Sequence, residues 1–244
     1  MKNLIDEFKN LYTELETEVR KKDPEFGHHE KLGLTNIEKS FLFSSKKEKI
    51  FIKACKEMRN ILQHEKAQFK GEAVDYFAPT EEIIEILKNI IDRIKRPKLV
   101  KEISIPLNEV YSKKLDDLIY PAMKEMSEKI YTHIPILNDN NVVIGVFSEN
   151  TIFSYLLDEK IIEVSEKMTF KNLEKYLDVE KHLSEVFKFV KRNTTILEAK
   201  KIFENELNEN KKIGMVFITE RGKKDESILG IFTPWDLAGK LEEN

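Results

Sequence analysis

Residues 230–236 read GIFTPWD, and residues 145–151 read GVFSENT. The two stretches place a glycine, two apolar residues and a hydroxyl residue in the same order, 85 positions apart. Apolar runs precede them: residues 134–137 read IPIL and residues 142–147 read VVIGVF, whereas residues 214–219 read GMVFIT. Such short runs, separated by turn-forming residues, predict strands. The repetition at a fixed spacing predicts two copies of one structural unit.

The two copies also share helices. Apolar spacing predicts a helix over 115–130 in the first copy and over 196–207 in the second, and a further helix follows each glycine-containing strand. Each copy is therefore expected to run strand, helix, strand, strand, helix, over about 97–160 and about 185–244. Because one copy exposes an apolar sheet face that it cannot bury, we expect the two copies to pack face to face.

Residues 1–96 have a different pattern, which predicts an all-helical domain of about four helices. An apolar stripe from Leu4 to Val19 predicts the first helix, and shorter stripes predict helices over about 36–43 and 47–66. Thr80 followed by two acids predicts the start of the last helix, and Pro97 ends it. The predicted fold class is α+β, with a helical domain over 1–96 and the repeats over 97–244.

The composition excludes several classes of protein. The chain has 244 residues, a net charge of −3 and one cysteine, Cys55, so a disulfide within the chain is impossible. No run approaches the ~18 apolar residues that a membrane helix needs. The N-terminus carries acids where a signal peptide is apolar. We therefore expect a soluble cytoplasmic protein with no membrane partner.

The repeat resembles a CBS-domain pair over about residues 97–241. The resemblance implies clefts between the repeats that bind an adenine nucleotide such as ATP, ADP or AMP. By position, Asp236 would bind the ribose and Thr233 a phosphate, and Thr194 and Thr195 would lie near the same cleft. Ser148 stands at the position of Thr233 in the first copy.

The residues alone leave a simpler alternative open. Thr233 can cap a helix, with Pro234 at its first position and Asp236 two residues later, and such a cap needs no ligand. In the first copy Thr151 replaces the expected carboxylate. That replacement predicts at most one well-formed nucleotide site per chain. Trp235 is placed either to stack on a base or to pack partly against the protein.

The helix over 47–66 contains the second motif, which reads RNILQH over residues 59–64. A helical wheel places Asn60 and His64 together, opposite an apolar stripe, with Arg59 on the flank. The predicted stripe consists of Phe51, Ala54, Cys55, Met58 and Leu62. Residues 45–70 carry eight basic residues against three acids, a local surplus that suits a polyanion or a solvated surface.

The region 1–96 resembles the HEPN domain through this motif. Active HEPN proteins are metal-independent ribonucleases that dimerise, so the resemblance implies a homodimer and RNA as the substrate. His64 would act as general acid or base, Arg59 would neutralise the scissile phosphate, and Asn60 would orient the phosphate or the imidazole. Some HEPN proteins are inactive, which leaves the enzymatic role open.

The remaining reactive residues form no evident site. His28, His29 and Glu30 are consecutive in a predicted loop, so we expect a solvated loop and no metal. Cys55 falls on the apolar stripe and is expected in the core. His133 and His182 have no evident partner in the sequence, and no cofactor is expected to be required.

The sequence thus favours a nucleotide-sensing regulator, in which a CBS pair controls a HEPN-type ribonuclease. The alternative is a non-enzymatic CBS sensor whose helical domain serves dimerisation or partner binding. In a third interpretation the repeats are only a dimer scaffold.

Overall fold

The computed structural model describes residues 2–26, 36–43, 45–64, 67–69, 72–74, 77–160, 163–182, 185–210 and 212–241. The chain divides into two compact units, residues 1–98 and 99–244. Helices and sheets both occur, so the α+β class is confirmed. Over the ranges just given, no helix combines the length and the apolar character that a membrane crossing requires.

In its described residues the N-terminal unit contains three α-helices, α1 (Lys2–Lys22), α2 (Lys46–His64) and α3 (Glu81–Lys95). The helix expected over 36–43 is only a 3₁₀ turn, Ile37–Lys39. Between α2 and α3 the chain forms an antiparallel hairpin of β1 (Ala67–Phe69) and β2 (Glu72–Val74). The prediction of an all-helical domain is therefore wrong, because strands of three residues are too short to give a readable alternation.

The apolar faces of α1 and α3 form the core of this unit. The stripe predicted on α1 is confirmed, since Ile5, Phe8, Tyr12, Leu15 and Val19 are buried. The predicted cap of α3 is also confirmed: the backbone N–H of Ile83 donates to Oγ1 of Thr80 at 3.4 Å. This cap satisfies one of the backbone donors that every helix start leaves unpaired.

The buried face of α2 is rotated relative to the prediction. Ile52, Cys55 and Leu62 are buried, whereas Ala54 is exposed. At 100° per residue, these three buried positions place Arg59 on the core side of the helix. The predicted stripe was centred on Phe51, which is only half-buried. The predicted position of Arg59, on the flank of the apolar stripe of α2, is therefore wrong.

The C-terminal unit contains the repeated elements in the expected order. Its strands and helices are β3 (Ile105–Pro106), α4 (Ile119–Lys129), β4 (His133–Leu137), β5 (Val143–Ser148), α5 (Glu149–Glu159), α6 (Glu174–Leu177), β6 (Val186–Lys191), α7 (Ile196–Asn208), β7 (Ile213–Thr219), β8 (Ile228–Phe232) and α8 (Pro234–Leu241). Strand, helix, strand, strand, helix thus occurs twice, from β3 to α5 and from β6 to α8.

The strands are not divided between the two sheets as the sequence divides them between the two copies. One sheet has the order β3-β8-β7-β6, and β4 pairs with β5 in a second sheet. The pairs β3–β8, β7–β8 and β4–β5 are antiparallel, and β6–β7 is parallel. Strand β3, which the sequence assigns to the first copy, thus lies at the edge of the second copy's sheet.

Backbone from outside each sheet's own copy also lies close to a glycine of that sheet. A Cβ on Gly230 would lie 2.6 Å from the carbonyl oxygen of Ile105, and one on Gly145 would lie 2.6 Å from Cβ of Leu177. Leu177 comes from the segment between the copies, so Gly145 admits backbone from that segment, whereas Gly230 admits backbone of β3. Glycine is required at both positions because a side chain has no room there.

Residues of both sheets share one buried cluster. It joins Leu137, Val143 and Val146 of the first copy to Phe187, Met215 and Phe217 of the second. A second cluster lies under the helices of the first copy, and a third lies under those of the second. Side chains of the two sheets therefore pack against one another.

Candidate functional site

The start of α8 carries the two residues that the sequence assigns to the nucleotide. Oδ2 of Asp236 accepts hydrogen bonds from the backbone N–H of Thr233 at 2.7 Å and from its hydroxyl at 2.8 Å. This is the capping arrangement expected from the residues alone. Asp236 and Thr233 are half-buried, and the neighbouring Trp235 is 85% exposed. Within the described part of the chain, Oδ1 of Asp236 accepts no hydrogen bond.

Thr194 and Thr195 precede α7. Oγ1 of Thr195 accepts from the backbone N–H of Glu198 at 3.1 Å, and the Glu198 carboxylate accepts from the backbone N–H of Thr195 at 2.7 Å. Thr194 is 4% exposed, and its carbonyl accepts from the backbone N–H of Val100 at 2.9 Å. The hydroxyl of Thr195 therefore serves the helix start, and Thr194 joins α7 to the beginning of the unit.

Ser148, the counterpart of Thr233, lies in a different environment. It is 2% exposed, and its hydroxyl donates to Oε1 of Glu185 at 2.9 Å. Its backbone N–H donates to Oγ1 of Thr151 at 3.0 Å. In the second copy, Asp236 accepts from both the backbone N–H and the hydroxyl of Thr233. In the first copy these two roles are divided: Thr151 accepts from the backbone N–H of Ser148, and Glu185, which precedes β6, accepts from its hydroxyl.

Glu185 also joins two histidines that the sequence left without partners. Nε2 of His133 lies 2.6 Å from Oε2 of Glu185, and Nδ1 of His182 lies 3.6 Å from Oε1. The side chains of His133 and Glu185 are each 10% exposed, and that of His182 is 3% exposed. A Cβ on Gly214 would lie 2.8 Å from Nε2 of His133, so the glycine leaves room for this cluster.

The charge of Glu185 is well stabilised. Burial raises the pKa of its carboxyl, but the hydrogen bonds from His133 and Ser148, the nearby His182 and the charge of His133 together outweigh burial. The pKa of Glu185 is consequently held well below its usual range. A buried, ionised carboxylate therefore lies at the N-terminus of α5, where the helix dipole favours negative charge.

A cavity of about 520 Å³ lies beside α5 in the first copy. Thr151 and His182 line it, so it adjoins the Glu185 cluster. Phe153 and Leu157, both 62% exposed, add apolar surface to it. A volume of ~300–1,000 Å³ is usual for small-molecule sites. No cluster of metal-ligating side chains occurs in the ranges that the structure describes.

The RNILQH motif is only partly described. Nη1 of Arg59 donates to Oδ1 of Asn60 at 3.3 Å, and both residues are half-buried. Burial raises the pKa of the Tyr12 hydroxyl far above its usual value, and the charge of Arg59 opposes this shift. Arg59 therefore acts on a core residue of its own unit. The side chain of His64, like His28, His29 and Glu30, lies outside the described residues.

Sequence comparison assigns part of the repeat region to a family. Residues 100–158 match the CBS domain family. This match confirms the CBS resemblance for the segment from the turn at Val100 to α5. The CBS match begins beyond the N-terminal unit, so it does not bear on the HEPN resemblance. No curated protein matches the chain.

Several solved structures are similar to about three fifths of the chain. CBSX2 in complex with AMP is 16% identical, with 60% of this chain and 97% of that chain covered and a TM-score of 0.42. A hemolysin-like protein containing a CBS domain, from Oenococcus oeni PSU, is 16% identical, with 59% and 90% covered and a TM-score of 0.41. CbpB in complex with c-di-AMP is 10% identical, with 60% and 85% covered and a TM-score of 0.43.

Proposed function

We propose that the C-terminal unit senses an adenine nucleotide, and that Thr233 and Asp236 bind it at the start of α8. The observation that carries this proposal is the half-buried Asp236 carboxylate, whose Oδ2 is held by Thr233 while Oδ1 is left to accept from a ligand. A carboxylate oxygen suits a ribose hydroxyl, and backbone N–H groups at a helix start suit a phosphate. The CBS match over 100–158 supports a regulatory ligand.

Two further features support the same site. Trp235 is 85% exposed beside Asp236, so its indole is free to stack on a purine. Thr194 and Thr195 directly precede α7, whose Ile196 shares a buried cluster with Leu237 of α8. The two helices that carry the proposed ligand residues thus belong to one packed unit.

Trp235 also provides the test, because it is the single tryptophan of the chain. We would titrate the full chain with AMP, ADP and ATP and record tryptophan fluorescence. Asp236→Asn keeps an oxygen for the Thr233 cap but removes the charge, so it should weaken binding about tenfold or more, as expected for a lost charge-assisted hydrogen bond. Asp225→Asn, at an exposed turn, is the matched control. Equal quenching by the Asp236→Asn and wild-type proteins would overturn the proposal.

As a second candidate, we propose that the N-terminal unit cleaves RNA through Arg59, Asn60 and His64. The surplus of basic residues over 45–70 favours it, because it suits a polyanion. His64 would transfer the proton, Arg59 would neutralise the phosphate, and a homodimer would bring two motifs to one cleft. Nucleotide binding would then act through its different affinity for two dimer arrangements.

The ribonuclease candidate is tested with mixed RNA in EDTA, with and without AMP. Wild-type cleavage that both Arg59→Ala and His64→Ala abolish is the expected result. Lys53→Ala, a change of an exposed lysine on the same helix, is the matched control and should keep the activity. Absence of cleavage by the wild-type protein would leave a non-enzymatic sensor whose helical unit serves dimerisation or partner binding.

A further inference from the structure

The start of α2 presents lysines that no carboxylate of the described residues neutralises. Lys39, Lys46 and Lys49 line an open groove of about 410 Å³, between the turn at Ile37–Lys39 and the first half of α2. Lys39 and Lys46 are exposed, and Lys49 is half-buried. Within the part of the chain that the structure describes, none of the three forms an ion pair. We call this surface the basic groove.

These charges also oppose the dipole of their own helix. Lys46, Lys47 and Lys49 are among the first four residues of α2, where the positive end of the helix dipole disfavours cations. Glu48, the acid of the same turn, forms an ion pair with Arg93 of α3 and is therefore engaged elsewhere. The lysines are thus unfavourable for the unit alone, and an anionic partner that covers the groove would offset their repulsion.

The outer face of α3 carries the opposite charge. Glu81, Glu82 and Glu85 are exposed, and over the described ranges none of them forms an ion pair. The nearby Lys88 does not neutralise them, because its Nζ lies 2.6 Å from Oε1 of Glu7 on α1. This surface, which we call the acidic face, therefore keeps a net negative charge.

An exposed isoleucine lies within each charged surface. Ile50, which is 59% exposed, lines the basic groove one turn after Lys46. Ile86, which is 37% exposed, lies one turn after Glu82 and next to Glu85. Nucleic-acid surfaces stack bases on aromatic side chains, and no aromatic side chain is among the described residues that line the groove. An aliphatic residue among lysines therefore favours a protein partner, which would remove the isoleucine from water.

We propose that the basic groove of one chain binds the acidic face of α3 in a second copy of the chain. The two surfaces are complementary in charge, which selects the partner and its orientation, and each adds an isoleucine to be buried. Because every copy carries both surfaces, a two-fold pair contains the contact twice. The proposal rests neither on the nucleotide site at Asp236 nor on the ribonuclease motif.

Charge reversal in the full chain tests the proposal by analytical ultracentrifugation at low salt. The groove variant carries Lys46→Glu and Lys49→Glu, and the α3 variant carries Glu82→Lys and Glu85→Lys. Each variant alone places like charges opposite each other, so it should self-associate about tenfold more weakly than wild type, or less. An equimolar mixture restores opposite charges at both contacts and should associate about tenfold more tightly than either variant alone.

The mixture also guards against misfolding, because two damaged variants would not restore association to each other. The matched control for the groove variant is Lys22→Glu with Lys98→Glu, which changes the net charge equally at two exposed positions of the same unit. This control should associate like wild type. A mixture that associates no more tightly than the groove variant alone would overturn the proposal, and so would equal association of wild type and both variants.

Disulfide trapping locates the contact. Cys55 is 2% exposed, so it does not compete for oxidation in the folded protein. Lys49→Cys mixed with Glu85→Cys should give a covalent pair under mild oxidation, whereas Lys22→Cys mixed with Glu85→Cys should not. Absence of the first product, or equal yields of the two, would contradict the assignment.

A competing occupant of the groove has a distinct result. RNA that binds wild type but not the groove variant, with no gain of association in the mixture, would assign the groove to a nucleic acid and overturn the proposal. None of these measurements uses AMP or RNA cleavage, so failure of this proposal is distinguishable from failure of the proposed functions.

Discussion

Gly230→Ala tests the exchange of backbone between the two copies. The added Cβ would lie 2.6 Å from the carbonyl oxygen of Ile105, and it would lie 3.4 Å from Cα of Pro106. An ordinary carbon–oxygen contact is about 3.4 Å, so β3 would have to retreat by roughly 0.8 Å. The obstacle is backbone that is hydrogen-bonded in the sheet, which has no rotamer by which to move away.

Overpacking of this kind costs about 1–3 kcal/mol. A unit of this size loses roughly 2–4 °C of melting temperature per kcal/mol, so we expect a fall of about 2–12 °C by calorimetry or circular dichroism. Gly145→Ala should lower the melting temperature similarly, because its Cβ would lie 2.6 Å from Cβ and 2.7 Å from the carbonyl oxygen of Leu177. Leu229→Ala, at a 43% exposed position on β8, is the control and should have little effect.

The direction of the change in melting temperature shows whether a side chain has room at each glycine. At a position with free space, glycine to alanine stabilises a protein by about 0.4–1 kcal/mol, since the unfolded chain loses conformational freedom. An increase in melting temperature for either Gly230→Ala or Gly145→Ala would therefore refute the close backbone approach at that position.

Two further predictions concern titratable groups. The pKa of Glu185 is lower in the folded than in the unfolded protein, so its charge stabilises the fold above the ordinary value of about 4.3 and this contribution is lost as the pH falls. The difference in free energy of unfolding between wild type and Glu185→Gln should thus shrink from pH 7 to pH 3, and a constant difference would contradict the cluster. Cys55 is 2% exposed, and burial raises the pKa of its thiol to about 12. A thiol reagent at pH 8 should label it only after denaturation, and rapid labelling of the native protein would contradict its place in the core.

Several features of the fold could be predicted because they depend on local sequence. The stripe of α1 and the Thr80 cap of α3 follow from residue spacing within one element. The repeat was readable because its glycine-containing strands recur at a fixed spacing. The β1–β2 hairpin was missed because each strand has three residues, and the face of α2 was misplaced because Arg59 lies on its core side among apolar residues.

The candidate sites were less predictable because they join distant parts of the chain. The Thr233 and Asp236 cap lies within four residues, so the sequence alone suggested it. Glu185 lies 37 residues from Ser148 and 52 from His133, and no local pattern links them. Only the packing of the two sheets places this carboxylate at the start of α5.

The most direct test of the account is the stoichiometry of AMP binding to the full chain, measured by titration calorimetry. The account predicts one AMP per chain for the wild type, because Asp236 provides a carboxylate in the second copy, whereas Thr151 stands at that position in the first copy. It predicts no comparable binding by Asp236→Asn. Absence of AMP binding by the wild type, or a stoichiometry and affinity that Asp236→Asn leaves unchanged, would contradict the central claim.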